Sequence, residues 1–279
     1  MRVDRGGDSE PARHIGDAAG TYILSDLGGD GIFGICKSCP KRNLASIITV
    51  AVFRLPAVDF DGLGITFDDG SNPASASGSL LFSGVAFSYA LQSCPAPAAT
   101  HHIFCNADLS DIQSAVHIDL GPAVASGRTV PAIVKVMLEL GEVLGRNLAV
   151  KAVFWSPAAV VSGYDYYAEA VVQYAQGAAF PALLCVGFET SKTGIVQTTG
   201  LASLCGQELT FEHAQMPTHE AMRYVVRLVH DLATQGAYER ELEVPGLKAD
   251  EVVLVTPGLE DGKVNASLVT RKEAINSLL

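Results

Sequence analysis

Thr129-Val130-Pro131-Ala132-Ile133-Val134-Lys135-Val136-Met137-Leu138-Glu139-Leu140-Gly141-Glu142-Val143-Leu144-Gly145 is the stretch from which the fold is read. Ile133, Val136, Met137, Leu140 and Leu144 recur at helical spacing and form one apolar stripe. Thr129 is placed to cap the start, Pro131 suits the first turn, and Gly145 beside Arg146 signals the end. Ala115-Val116-His117-Ile118-Asp119-Leu120 precedes this helix as a strand, and residues 149–155, ending at Trp155, follow it as another. The three pieces alternate strand, helix and strand.

Further out, the β-branched run Ile47–Phe53, stopped by Pro56, predicts a strand. Asp68-Asp69-Gly70-Ser71-Asn72-Pro73 predicts a surface turn. Leu81, Val85, Phe87, Tyr89 and Leu91 follow strand period and are read as one strand over 81–91. Downstream come a helix over 164–174, strands over 181–188, 195–198 and 208–211, and a helix from Thr218 to Thr234 ended by Gly236. The stripe of that last helix is Ala221, Tyr224, Val225, Leu228 and Leu232. Strand-like 252–255 and 267–269 close the pattern. Several strands follow one another with no helix between them, which favours antiparallel pairing. The expectation is therefore an α+β fold, mixed or antiparallel sheets with packed helices, with two ferredoxin-like βαβ units as the architecture.

Residues 1–42 are rich in Gly, Asp and Arg without periodic pattern and read as a flexible N-terminal tail, with a short ordered piece near Tyr22–Leu24. The globular region is 43–279, divisible into sub-domains 43–125 and 126–279. The chain of 279 residues is 48% hydrophobic with mean hydropathy +0.27, yet its apolar runs last roughly ten residues against the ~20 of a membrane span. No apolar leader follows Met1, so a secretory signal is not expected. The six cysteines sit in a chain with ample core, and Cys185 lies inside an apolar run as a buried thiol. The compartment expected is the cytoplasm.

A net charge of −11 argues against nucleic acid, which needs a basic surface, and no membrane partner is expected. Another protein, or a second copy of this chain, is the partner class left.

Chemistry-bearing patterns are incomplete. Cys36-Lys37-Ser38-Cys39 has the spacing of half a zinc site or a redox pair, with Cys94, His101, His102 and Cys105 as a source of further ligands. The simpler reading is free cysteines in a Gly-rich segment. Gly29-Asp30-Gly31-Ile32-Phe33-Gly34 matches a dinucleotide loop, but Pro40 breaks any helix that should follow. His219-Glu220 begins like a zinc-protease motif, with Arg223 where the second histidine belongs. No Gly-x-Ser-x-Gly elbow occurs. His117 reads as a buried strand histidine. No catalytic, cofactor or metal residue set is assigned. Trp155, the one tryptophan, precedes Tyr164, Tyr166 and Tyr167; exposed, such a group is an interaction surface, and buried, it is core.

Thr198-Thr199-Gly200-Leu201 followed by Gly206-Gln207-Glu208-Leu209 is the turn to watch: Gly200 permits a left-handed backbone, and the hydroxyls offer donors. The alternative is a structural turn between two strands. Together with Ala115–His117 and residues 149–155, these residues resemble an uncharacterised bacterial domain-of-unknown-function family with a Thr-x-Gly-Leu turn and a Gly-x-Glu-Leu strand. The likeness spans roughly 44–235 and implies a cytoplasmic bacterial protein without implying an activity. Two functions follow as expectations: a non-enzymatic protein-interaction, accessory or regulatory module, or an enzyme, either of unrecognised type or a metal-dependent one using Cys36 and Cys39.

Overall fold

The computed structural model describes residues 48–52, 65–67, 77–92, 99, 101–112, 114–213, 216–258 and 262–270. All fall within one compact unit, Ser38–Leu279. The tail, the Cys36–Cys39 pair, the Gly29–Gly34 match, Cys94 and the turn at 68–73 lie outside the described residues.

The fold is α+β, built on two sheets. The first has eight strands: β1 (Ile48–Val52), β2 (Ile65–Phe67), β3 (Ser77–Phe82), β4 (Val85–Gln92), β5 (His101–Ile103), β6 (Ser114–Leu120), β7 (Ala152–Trp155) and β8 (Val160–Gly163), ordered β2-β3-β4-β6-β1-β7-β8-β5. Strand β1 lies between β6 and β7, antiparallel to both, with Ile48 facing Ile118 on one side and Trp155 on the other. Strands β6 and β7, joined by helix α1 (Pro131–Asn147), are thus a split βαβ unit. The sheet takes strands from both sides of residue 125.

The second sheet orders β12 (Leu242–Pro245), β13 (Glu251–Gly258), β14 (Lys263–Thr270), β11 (Glu208–Glu212), β10 (Ile195–Thr199) and β9 (Gly187–Thr190). Here the parallel strands β11 and β14 are direct neighbours, reached through helix α5 (Thr218–Gln235) and the hairpin β12–β13. Ala221, Tyr224, Val225, Leu228 and Leu232, the stripe expected for α5, are all buried. Tyr224 stacks on Phe211 of β11 with ring centroids 5.9 Å apart.

Strand β7 is buried along both faces, as its apolar composition requires. Val153 and Trp155 enter the main core, while Ala152 and Phe154 join Ile112 and Val161 in a smaller cluster covered by Ala99, Cys105 and Leu109. Helix α1 buries a wider face than its one stripe implied: Val134, Leu138, Gly141 and Gly145 are buried, while Ile133 and Val136 are only half-buried. Helix α2 (Tyr164–Ala175) supplies the reason. Tyr167 donates to the Leu138 carbonyl at 2.9 Å and Tyr164 to the Glu142 carbonyl at 3.0 Å. A Cβ on Gly141 would sit 2.5 Å from the Tyr167 hydroxyl, and one on Gly145 would sit 2.2 Å from the Tyr164 ring. Gly145 is therefore a packing residue, and the helix runs on to Asn147, where Ala149 turns the chain with φ +50°. Thr129 does not cap α1; the N-cap is Val130.

Two expected strands are different structures. The run 81–91 is a hairpin, because Ser83 (φ +47°) and Gly84 (φ +79°) make a two-residue turn of the type that matches strand twist. Residues 181–188 begin with a buried helical turn, α3 (Ala182–Cys185), opened by Pro181, and only then enter β9. Apolar runs this short do not separate helix from strand by periodicity. No helix among the described residues is long and apolar enough to cross a membrane.

Candidate functional site

Between β10 and β11 the chain makes one turn of helix, α4 (Ala202–Cys205), and the Glu208 carboxylate closes it. Glu208 Oε1 accepts from the backbone N–H groups of Gly200 at 2.8 Å and Ala202 at 3.0 Å. Its Oε2 accepts from the Thr198 hydroxyl at 2.7 Å. That hydroxyl oxygen in turn accepts from the Leu209 N–H at 2.7 Å, and Ser203 Oγ donates to the Gly200 carbonyl at 2.6 Å. Carboxylate capping of a helical turn's bare N–H groups explains why glutamate stands at 208.

The rest of the turn is equally specified. Gly200 has φ +86°, and a Cβ there would lie 2.6–2.8 Å from Ala158 Cβ, Cα and N. Gly206, also at φ +86°, ends α4 and faces open space. Leu201 and Leu209 are buried, and the Gln207 amide both donates to the Tyr238 carbonyl (3.0 Å) and accepts from its N–H (2.9 Å). Burial pushes the Tyr238 phenol up to about 12. Every polar group of Thr198, Gly200 and Glu208 named above has an internal partner, so the structural reading of the turn accounts for it. Thr199 projects from the opposite face of β10 and is exposed.

Trp155 meets this turn across a narrow crevice lined by Arg128, Met137, Trp155, Pro157, Ser203 and Leu204. Trp155 is 3% exposed and its indole Nε1 is buried without a hydrogen-bond partner. Arg128 closes the 3-10 stretch Pro122–Thr129; its Nη2 donates to both carboxylate oxygens of Asp119 at 2.9 Å. Burial pushes the Asp119 carboxyl above the ordinary aspartate value, partly countered by the Leu120 N–H and by Arg128. The structure thus gathers Trp155, Thr198, Gly200 and Glu208 into one neighbourhood and leaves Thr199 outside it.

No protein-family model, curated protein or solved structure matches this chain.

The other titratable groups are dispersed. Among the described residues no three of His, Cys, Asp and Glu are grouped to hold a metal ion. His101 and His102 lie on β5; His101 Nε2 is buried without a partner, and burial lowers its pKa against the pull of Glu189. A Cβ on Gly187 would lie 2.5 Å from that ring. His117 is 6% exposed, its pKa lowered by burial. His230 accepts the Phe180 N–H at its Nδ1 (3.0 Å), a structural role. Cys185 is fully buried and Cys205 nearly so, and burial raises both thiols. Lys248 bonds Glu220 at 2.9 Å and Glu251 at 3.1 Å, and Tyr224 donates to Glu251. Burial alone would raise Glu251, but the Tyr224 and Lys248 bonds bring it below the usual range. This cluster ties α5 to the β12–β13 hairpin with its donors matched to acceptors.

Of the aromatic group, Trp155 and Tyr167 are core, so it is not an exposed patch. Sequence reasoning missed Phe104. It is 55% exposed, has φ +44°, and packs against the half-buried Tyr166 of α2 with ring centroids 4.6 Å apart and planes tilted by 47°. Its carbonyl lies against Gly163, where a Cβ would be 2.3 Å away. A positive φ at phenylalanine has no sequence signal.

Proposed function

We propose that the chain is a non-enzymatic protein-interaction module, an accessory or regulatory protein of the bacterial cytoplasm, with Phe104 at the centre of its contact surface. The observation that carries the reading is Phe104 itself: a large aromatic side chain 55% exposed on a left-handed backbone. Such a conformation costs phenylalanine on the order of 1–3 kcal/mol and persists only where its surroundings over-determine it. The Tyr166 ring and the close approach to Gly163 do so here. A rigid exposed aromatic is what an interface anchor requires, since little side-chain freedom is then lost on binding. Strand β5, ending one residue before it, pairs only with β8 among the described strands and so presents an edge beside the anchor.

Burial raises the thiols of Cys185 and Cys205, which disfavours either as a nucleophile. Membership of the family with the Thr-x-Gly-Leu and Gly-x-Glu-Leu elements is part of the same proposal. Its support is that Thr198, Gly200, Leu201, Gly206, Glu208 and Leu209 each have a distinct task in one turn.

The test is site-specific photo-crosslinking in cells, with the photoreactive residue at 104 and, as control, at Leu81, which is 39% exposed. A discrete adduct from position 104 that position 81 does not yield is the expected result. Equal, diffuse labelling from both positions would sink the proposal.

A further inference from the structure

His101 sits where the two sheets meet. It belongs to β5, which ends the strand order of the first sheet, and its ring rests on Gly187 of β9, which ends the order of the second. A Cβ on Gly187 would lie 2.5 Å from both Cδ2 and Nε2 of that ring, so any side chain there would displace it. Nε2 is buried and has no hydrogen-bond partner. The His101 backbone N–H donates to the Ala159 carbonyl at 3.2 Å. One residue thus joins β5 to β9 through its ring and to the 156–159 turn through its backbone.

A neutral imidazole suits this seat and an imidazolium does not. The neutral ring has one hydrogen, and with that hydrogen on Nδ1 it leaves Nε2 as a bare lone pair. Once charged, both nitrogens must donate, and Nε2–H then faces the Gly187 backbone with no acceptor. A buried charged donor without a partner costs more than a neutral one. Two titratable groups face the ring: Glu189 on β9, which favours the charge, and His102 on β5, which opposes it. Strand β8 and the 156–159 turn carry none. Burial outweighs Glu189, so the ring loses its proton more readily than a free histidine. Glu189 itself is exposed, two residues beyond Gly187 on the same face of β9.

We propose that His101 is a pH-sensitive latch on this seam: neutral, it seats on Gly187 and holds β5 in place; protonated, it leaves that seat toward the Glu189 carboxylate and releases β5. The folded chain binds this proton less readily than the unfolded chain does. The latch therefore contributes its full stability above the ordinary histidine value of 6.5, and that contribution is lost as the pH falls from there toward the lowered folded value. The inference stands apart from the role given to Phe104.

The test is amide hydrogen exchange of the full chain from about pH 7 to about pH 5, corrected for the intrinsic pH dependence of exchange. The His101 amide reports the latch, and the amide of Val253 in β13 is the control. The opening equilibrium at His101 should rise by up to about tenfold per pH unit below the ordinary histidine value, while Val253 stays level. His101→Phe keeps a ring on Gly187 that cannot charge and should abolish the rise. Glu189→Gln removes the group that favours the charge and should move the rise to lower pH. NMR of the His101 ring nitrogens in the parent chain needs no variant to fold: the expected result is a hydrogen on Nδ1 and a midpoint below 6.5. The proposal is overturned by an opening at His101 that ignores pH or merely follows Val253, by a rise that persists in His101→Phe or is unmoved in Glu189→Gln, or by a ring that titrates at 6.5 or above.

Discussion

Gly200 and Gly206 share a backbone conformation, φ +86°, but differ in what surrounds them, which makes them a matched experiment. Alanine at Gly206 meets nothing within 4 Å, so its cost is the left-handed backbone alone, about 1–2 kcal/mol. Loss of unfolded-state freedom offsets roughly 0.4–1 kcal/mol of this. Alanine at Gly200 has the same backbone cost and also drives a methyl to 2.6–2.8 Å from Ala158, two of whose three nearest atoms are backbone and cannot rotate aside. Overpacking of that kind adds about 1–3 kcal/mol. Gly200→Ala should therefore destabilise the fold by roughly 2–4 kcal/mol and Gly206→Ala by about 1.

Urea unfolding with unchanged m-value reads the difference directly as a larger fall in midpoint for Gly200→Ala. Ala158→Gly in the Gly200→Ala background should recover part of the loss and no more, since the Ala158 Cα and N remain in the way. Equal midpoints for the two single variants would refute the claim that the turn is seated on the 156–158 segment of the first sheet.

Removing the Glu208 acceptor by Glu208→Ala leaves the Gly200 and Ala202 N–H groups and the Thr198 hydroxyl without it, a loss of about 3 kcal/mol, while Glu208→Gln should lose half of that or less because one acceptor oxygen stays. A denaturation midpoint for Glu208→Ala equal to that of the parent chain would contradict the capping role. Asp119 titrates in the folded chain above its unfolded value, so the folded state holds this proton more tightly, and its contribution to stability, full at lower pH, is lost as pH rises through the folded pKa. Carboxyl-carbon NMR should place Asp119 above ordinary aspartates and higher still in Arg128→Gln; a value below them would show that Arg128 outweighs burial.

What was legible in the sequence was whatever repeated with a period. The α5 stripe is buried residue for residue because an amphipathic helix on a sheet obeys only its own geometry. The α+β class followed from consecutive strands. Helix α1 was half legible: its sheet-facing stripe was visible, but Gly141 and Gly145 gain their meaning from Tyr167 and Tyr164, some 20 residues later. The Ser83-Gly84 turn carried a hairpin signal that the strand period on either side concealed. Strands β5, β8 and β12, of three or four residues each, are too short to show a period. In the candidate site, Thr198, Gly200 and Glu208 were visible as a turn, but their mutual bonding was not, since it depends on the register that sets Glu208 beside the turn's N–H groups. Arg128 and Phe104 were invisible: one pairs with Asp119 across the turn after β6, the other depends on a backbone angle.

The crevice follows from how the two sheets meet. Gly200 and Gly187, the latter paired with Thr199 across β9 and β10, both approach Ala158, so small residues bring backbone against backbone along the 156–158 turn. Contact that close fixes the separation of everything beside it. Trp155, three residues before Ala158, lines the crevice with Ser203, which is tied to Gly200, and with the buried Leu204. The indole Nε1 stays without an acceptor beside this close contact. The rigidity of the turn and the bare indole donor are in that sense one feature. It predicts a coupling: Glu208→Gln, which loosens the turn while leaving every crevice side chain in place, should shift the emission of Trp155, the chain's one tryptophan, to the red, and an unchanged spectrum would separate the two.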